Sequence, residues 1–187
     1  MADLISHACA ALLWRAARPR PHTPSFVAGN LLPDLLARVP AIALTRLHDQ
    51  LGVAVPEGLI YGFSPLHLPV GMLLSSYALA LLFPAGERRG VFRALLSGMA
   101  LHLAVDLLQN HYGAGYALFY PFSLYSWELG WMGSEDTVYL APPLVALTAL
   151  VWRRRLRAAS SSGAPAQPEG APDEAQPQPS SEPPVSG

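Results

Sequence analysis

The sequence predicts an all-α integral membrane protein, a helical bundle with about three spanning helices and short N-terminal helices buried against them. Three observations lead there. Of the 187 residues, 51% are hydrophobic and only 13% charged, about half the charged share usual in soluble domains, and mean hydropathy is +0.28. Of three apolar segments, 66–83 and 91–108 approach the roughly 20 residues that a helix needs to cross a bilayer, and 138–152 is shorter. Arginine clusters fall between the first two segments and after the third, whereas 109–137 carries no Lys or Arg, which is the charge asymmetry of a membrane protein with its positive loops inside.

Taken in order, residues 2–17 form a short helix rich in Ala and Leu, with Asp3 at its start and Arg15 and Arg18 at its end, both favourable to the helix dipole. It is too short to span, so it is expected to be buried, re-entrant or interfacial. The proline-rich stretch 18–24 breaks it. Residues 29–34 then read as a turn into a second short apolar segment ending near Pro40, and 45–62 as loop or short helix. The third long segment carries Pro142 and Pro143 and is expected to be kinked. Eight of the seventeen aromatic residues lie in 109–137, where they suit an interfacial loop or a ring-lined pocket. From residue 158 onward the chain turns to Ala, Ser, Gly, Gln and Pro. That composition predicts a disordered tail over 158–187, behind an embedded domain of 1–157, and the charge pattern puts the tail in the cytoplasm.

The embedded part holds 12 arginines and 9 acids, a net of +3, too mild to suggest nucleic acid as a partner. Cys9 is single and has no activating base beside it, so it reads as a small apolar side chain. The N-terminus lacks the charge order of a cleaved signal peptide.

Chemistry concentrates in 101–108, where His102 and Asp106 stand four residues apart and so share a helix face within an apolar run. Ionisable groups at such a depth need partners. His67 at the outer end of the first segment would come level with them through an antiparallel hairpin, and His7 and Asp34 are the other ionisable groups in apolar surroundings. Three imidazoles and two carboxylates suit zinc, manganese or iron rather than calcium. Plainer readings stand beside this one: the His102–Asp106 pair as a polar link between helices, Asp34 as a helix N-cap, His67 as an interfacial side chain and His7 as a satisfied core histidine. His22 and His48 read as solvated, and His111 as a helix-end histidine close enough to orient a ligand. The arginines at 15, 18, 20, 38 and 46 draw the first 65 residues inward, whereas the site lies toward the outer face. Re-entrant helices, an inverted topology or a failure of the five residues to converge would each account for that.

The order Ser6-His7, Gly29-Asn30-Leu31-Leu32-Pro33-Asp34, Ser64-Pro65-Leu66-His67, His102-Leu103-Ala104-Val105-Asp106 and Tyr120-Pro121-Phe122-Ser123 resembles that of the predicted membrane-bound metal-dependent hydrolases of the YdjM type, over roughly residues 1–125. The ligand order is more distantly similar to that of zinc-dependent phospholipases C. The resemblance implies a bacterial inner-membrane protein with a divalent metal, most simply zinc, with manganese or iron as alternatives. His7, Asp34, His67, His102 and Asp106 would be its ligands. It further implies hydrolysis of a phosphoester or another ester, from lipid among other sources, by a metal-activated water, with Asp34 or Asp106 taking the water's proton. Two departures from the family pattern weaken a two-metal site and leave one metal, or a degenerate site that binds none: Leu36 stands where the family carries a second acid, and the middle motif, here Gly62-Phe63-Ser64-Pro65-Leu66-His67-Leu68, lacks the family's first histidine. The alternative function is a non-catalytic membrane protein whose buried His and Asp groups stabilise packing or hold a structural metal.

Overall fold

The computed structural model describes residues 4–110, 115–133 and 136–161. The helices are α1 (Leu4–Ala17), α2 (Thr23–Pro33), α3 (Val39–Leu51), α4 (Glu57–Tyr61), α5 (Pro69–Ala80), α6 (Arg88–Leu107) and α7 (Thr137–Ser161). A five-residue π-turn, Asp34–Arg38, joins α2 to α3, and a 3-10 turn, Ser64–His67, precedes α5. The expected helical bundle is therefore present.

Membership of the spanning set differs from the expectation. Thr23–Leu51 runs as one 29-residue helical path, long and apolar enough to cross a membrane, where a turn, a short segment and a loop were expected. Two prolines prompted that reading, but neither ends the helical path. Pro33 is the last residue of α2 and Pro40 lies in the first turn of α3. Between them the Val39 N–H reaches back five residues to the Asp34 carbonyl, so the π-turn carries the path across the interruption. The second spanning helix is α6, as expected.

The segment expected over 66–83 is instead the 12-residue α5, which qualifies as a span only together with Glu57–His67, from which it bends by 78°. Extended backbone at Leu68, before Pro69, makes that bend. The segment expected over 138–152 lies in α7, which is not among the helices apolar enough to cross, because its second half carries Arg153, Arg154, Arg155 and Arg157. Two helices, or three with the bent pair, thus match the expected number. Residues 158–161 continue α7; the remainder of the expected tail lies outside the described residues, as do His111, Tyr112 and Glu135.

Packing centres on α2 against α6. The two run parallel in a constant register: the Asn30 side-chain amide donates to the Gly98 carbonyl at 3.2 Å, and eight residues on the Arg38 guanidinium donates to Asp106 at 3.4 Å. Gly29 and Gly98 permit the approach. A Cβ at Gly29 would collide with the Leu95 carbonyl oxygen, and one at Gly98 with that of Phe26. Helix α5 runs antiparallel to α6, with His67 beside His102, the Ser76 hydroxyl 3.1 Å from Met99 Sδ, and Ala80 in a cluster with Val91 and Leu95. Helix α1 is also antiparallel to α6, from His7 beside Asp106 to Ala11 packed with Phe26 and Ala94. Cys9 is buried, as expected, and α7 lies on α1, its Trp152 indole donating to the Leu12 carbonyl at 3.3 Å.

These directions resolve the conflict for Arg15, Arg18 and Arg20, whereas Arg38 lies at the cluster and Arg46 eight residues beyond it on α3, away from the arginine-rich end. Because α1 and α5 run against α6 while α2 runs with it, Arg15, Arg18 and Arg20 gather at the end of the bundle that holds Arg88, Arg89 and Arg93. His7, Asp34 and His67 come together nearer the other end. His102 lies fourteen residues beyond Arg88 on α6, about 21 Å along the helix axis. No inversion is needed for the five residues to converge.

Past α6, the backbone of 109–110 and 115–133 folds back on the helix end: Leu129 N–H donates to the Leu107 carbonyl at 2.7 Å, and residues 109–110 pair in parallel with 132–133. Tyr116 and Trp127 bridge antiparallel, and Tyr116 turns inward. Phe119, Phe122, Tyr125 and Trp131 point outward, as suits an interfacial loop rather than a ring-lined pocket.

Enlarging Gly98 is expected to part α2 from α6. Gly98→Val should lower the unfolding temperature in detergent, at a cost of about 1–3 kcal/mol or more. Gly58→Ala, where a Cβ meets open space, should be neutral or mildly stabilising. Equal melting of the two variants would refute the contact.

Candidate metal centre

Four elements converge on one buried cluster. Helix α6 supplies His102 and Asp106, four residues apart on one face as expected, with His102 Nε2 3.3 Å from Asp106 Oδ2. The π-turn supplies Asp34, α1 supplies His7, the 3-10 turn supplies His67, and all five side chains are buried. Asp34 does not cap a helix N-terminus: it follows α2 directly, and its carboxylate turns into the bundle. His67 is buried rather than interfacial because the bend at Leu68 points the turn inward.

Asp34, His67, His102 and Asp106 form a buried group that could hold a metal ion, one ligand atom from each lying within 4.8 Å of the others. His67 Nε2 is 3.2 Å from Asp34 Oδ1, 3.3 Å from Asp106 Oδ2 and 2.9 Å from His102 Nε2. His102 Nε2 is 3.8 Å from Asp34 Oδ1. Ligands bound at 2.0–2.1 Å around a tetrahedral ion stand about 3.4 Å apart, and five of the six separations, 2.9 to 3.8 Å, lie near that value. His7 lies one step outside: its Nε2 is 3.2 Å from Asp106 Oδ1, and its ring stacks on His102 with centroids 3.8 Å apart.

The protonation of His102 follows from its other ring nitrogen. His102 Nδ1 lies 2.7 Å from the Asn30 carbonyl oxygen, which can only accept, so Nδ1 carries a proton. In the neutral ring Nε2 is then a bare lone pair, facing His67 Nε2 and two carboxylates. Lone pairs and negative oxygens gathered in this way repel unless a proton or a cation sits among them. A backbone carbonyl that fixes the tautomer of a histidine is also the usual support behind a metal-binding imidazole.

Two side chains that sequence reasoning did not assign to the site complete it. Arg38 lies one turn after Asp34; its Nε is 3.0 Å from Asp34 Oδ1, and its Nη2 donates to Asp106 Oδ2 and, at 2.7 Å, to the Tyr116 hydroxyl. That hydroxyl in turn donates to Asp106 Oδ2 at 2.7 Å. Burial, with Asp106 next to it, pushes the Tyr116 phenol above its usual range, so the phenol stays a proton donor. The i,i+4 spacing of Asp34 and Arg38 would have pointed to the pair once the helix was read through Pro33. For Tyr116, one aromatic residue among many in its loop, no local signal existed. A cavity of about 280 Å³ opens beside the group, lined by Arg38, His67, Tyr116, Ser64 and Leu68.

Of the other candidates, His48 is exposed and donates to the Val53 carbonyl at 3.1 Å. His22 precedes α2 in a left-handed conformation, next to Gly90 and away from the cluster.

The comparisons agree with this architecture. No curated protein and no solved structure matches the chain. The profile of one family, described as YdjM inner membrane protein, matches residues 2–165, from before α1 to beyond α7. The protein, with its apolar spanning helices and buried His and Asp cluster, belongs to the YdjM inner membrane protein family.

Proposed function

We propose that this protein is a membrane-bound metal-dependent hydrolase acting on a phosphoester or a related ester. One observation carries the reading: His102 Nε2, whose ring is oriented by the Asn30 carbonyl, points into a buried set completed by His67, Asp34 and Asp106, one ligand atom of each within 4.8 Å of the others. With one guanidinium and two carboxylates, the group has a single net negative charge when its histidines are neutral, which suits one divalent ion rather than two. A set of two imidazoles and two carboxylates favours zinc, with manganese or iron as alternatives. Bound there, such an ion would supply a Lewis acid and lower the pKa of a coordinated water toward roughly 7.

The chain's own residues divide the remaining work. Every side-chain contact of Asp34 named above falls on Oδ1, so Oδ2 is the atom placed to take a proton from water. Both oxygens of Asp106 are engaged, which makes Asp106 the anchor and Asp34 the base. His7 holds Asp106 from behind. Arg38 stands between the carboxylates and the cavity, where its positive charge would meet the phosphate oxygens of a substrate. The arginine-rich end of the bundle is assigned to the cytoplasm, which would place residues 162–187 there as well.

A non-catalytic reading has one observation in its favour. Asp106 already accepts from His7, Arg38 and Tyr116, a network that can serve packing alone.

The first measurement is the metal content of the detergent-purified protein beside His102→Ala and Asp106→Ala, with circular dichroism to verify folding. Near-stoichiometric metal in the wild type, lost in both folded variants, is expected. Folded wild type that takes up no zinc, manganese or iron would leave the packing role. Protein that holds metal but hydrolyses no ester or phosphoester, membrane lipids included, would count against the enzyme.

Arg38→Gln separates the two readings further. Removing the competing cation should tighten metal binding while lowering phosphoester turnover on the order of 10²-fold. Weaker metal binding with unchanged turnover would contradict the role given to Arg38.

A further inference from the structure

A second polar feature lies at the arginine-rich end, about 12 Å along α1 from His7. A cavity of about 490 Å³ is walled by Trp14, Arg15, Arg18, Arg20 and Phe26 on one side and by α6 on the other. A smaller one of about 260 Å³ adjoins it, sharing Arg15, Arg20 and Ser97 and adding Arg93. Four arginines therefore line two adjoining cavities, Arg15 and Arg20 both of them, Arg18 the larger and Arg93 the smaller, and among the described residues no carboxylate pairs with any of the four.

The arginines are held in place by rings instead. The Arg15 guanidinium carbon lies 4.0 Å above the centre of the Phe26 ring, and that of Arg18 4.7 Å above the Trp14 ring. Stacking fixes the planes and leaves the N–H edges available. Arg15 is only 6% exposed, and its buried Nε has no hydrogen-bond partner. A buried charged donor left unsatisfied is costly, so its persistence here points to a ligand that accepts from it. The fork geometry of arginine matches phosphate oxygens.

The shape of the cavity narrows the source of that phosphate. From the arginines its wall continues along α6 through Ala100, Leu101 and Ala104, an apolar track leading toward the membrane interior. Trp14 is 45% exposed at its rim, as expected of a ring at the headgroup level. A free anion would use the basic end alone, whereas a phospholipid would use the basic end and the track together.

We propose that this cavity is a binding site for an anionic phospholipid, its phosphate held by Arg15, Arg18, Arg20 and Arg93 and one acyl chain laid along Ala100, Leu101 and Ala104. The site is separate from the metal centre and does not depend on catalysis. Basic pockets between membrane helices hold lipid headgroups in this manner.

The test uses native mass spectrometry on the full chain in micelles doped with phosphatidylglycerol or phosphatidylcholine, together with thermal unfolding in inorganic phosphate. Retention of phosphatidylglycerol in preference to phosphatidylcholine is expected, with no stabilisation by phosphate alone. Arg18→Gln with Arg93→Gln, both at exposed positions, should reduce retention by about fivefold per arginine. Ala100→Trp should also reduce it, by filling the track without altering charge. Circular dichroism and metal content should stay at wild-type values in both. Equal retention of the two lipids, or undiminished retention in either folded variant, would overturn the proposal. So would stabilisation by inorganic phosphate equal to that by phosphatidylglycerol, which would indicate a free-anion site.

Discussion

The close approach of α2 to α6 at Gly29 and Gly98 is the constraint on which the rest of the molecule depends. Only backbone atoms meet there, so the helices lie near enough for one to read the polar groups of the other. The Asn30 carbonyl reaches His102, and the Asn30 amide reaches Gly98. From that point the parallel register carries Asp34 to His102 and Arg38 to Asp106 without further adjustment. In a membrane there is little hydrophobic drive between helices, so close packing and hydrogen bonds must hold them together, and small residues permit both.

Around this pair the other elements act as clamps. His67 arrives on a turn bent away from α5, and His7 arrives on a helix too short to span. Tyr116 closes the cluster from outside the helices, in a loop tied to the end of α6 by backbone hydrogen bonds. Each therefore reaches the centre from a different part of the chain, and a disturbance in any one is felt at Asp106, which touches His7, His67, His102, Arg38 and Tyr116.

Much of this was legible in the sequence. The His102–Asp106 spacing on an apolar helix named the centre, and a positively charged end could be read from the arginines. The remaining candidates, His7, Asp34 and His67, were recognisable as ionisable groups in apolar company, and the structure brings them to the same place. What was not legible depended on backbone geometry that local signals hide. Pro33 and Pro40 look like breaks, yet a π-turn joins their helices, so the longest span was missed and Arg38 went unassigned with it. Hydropathy alone favoured 138–152 as a crossing, but the helix it belongs to ends in arginines. Tyr116 required a tertiary contact that no spacing encodes.

The π-turn also has a bearing on how the chain can change length. Each residue of an α-helix advances the face by 100°, so an inserted residue turns everything beyond it by that angle. Asp34 and Arg38 stand at the two ends of the widened turn, where Asp34 meets His102 and Arg38 meets Asp106 on α6. Loss of one residue between them would straighten the path while swinging Arg38 and the whole of α3 away from the carboxylates. A gap of one residue here would thus be far more damaging than one in the surface connection between α3 and α4, and the spacing from Asp34 to Arg38 is the length the chain has least freedom to alter.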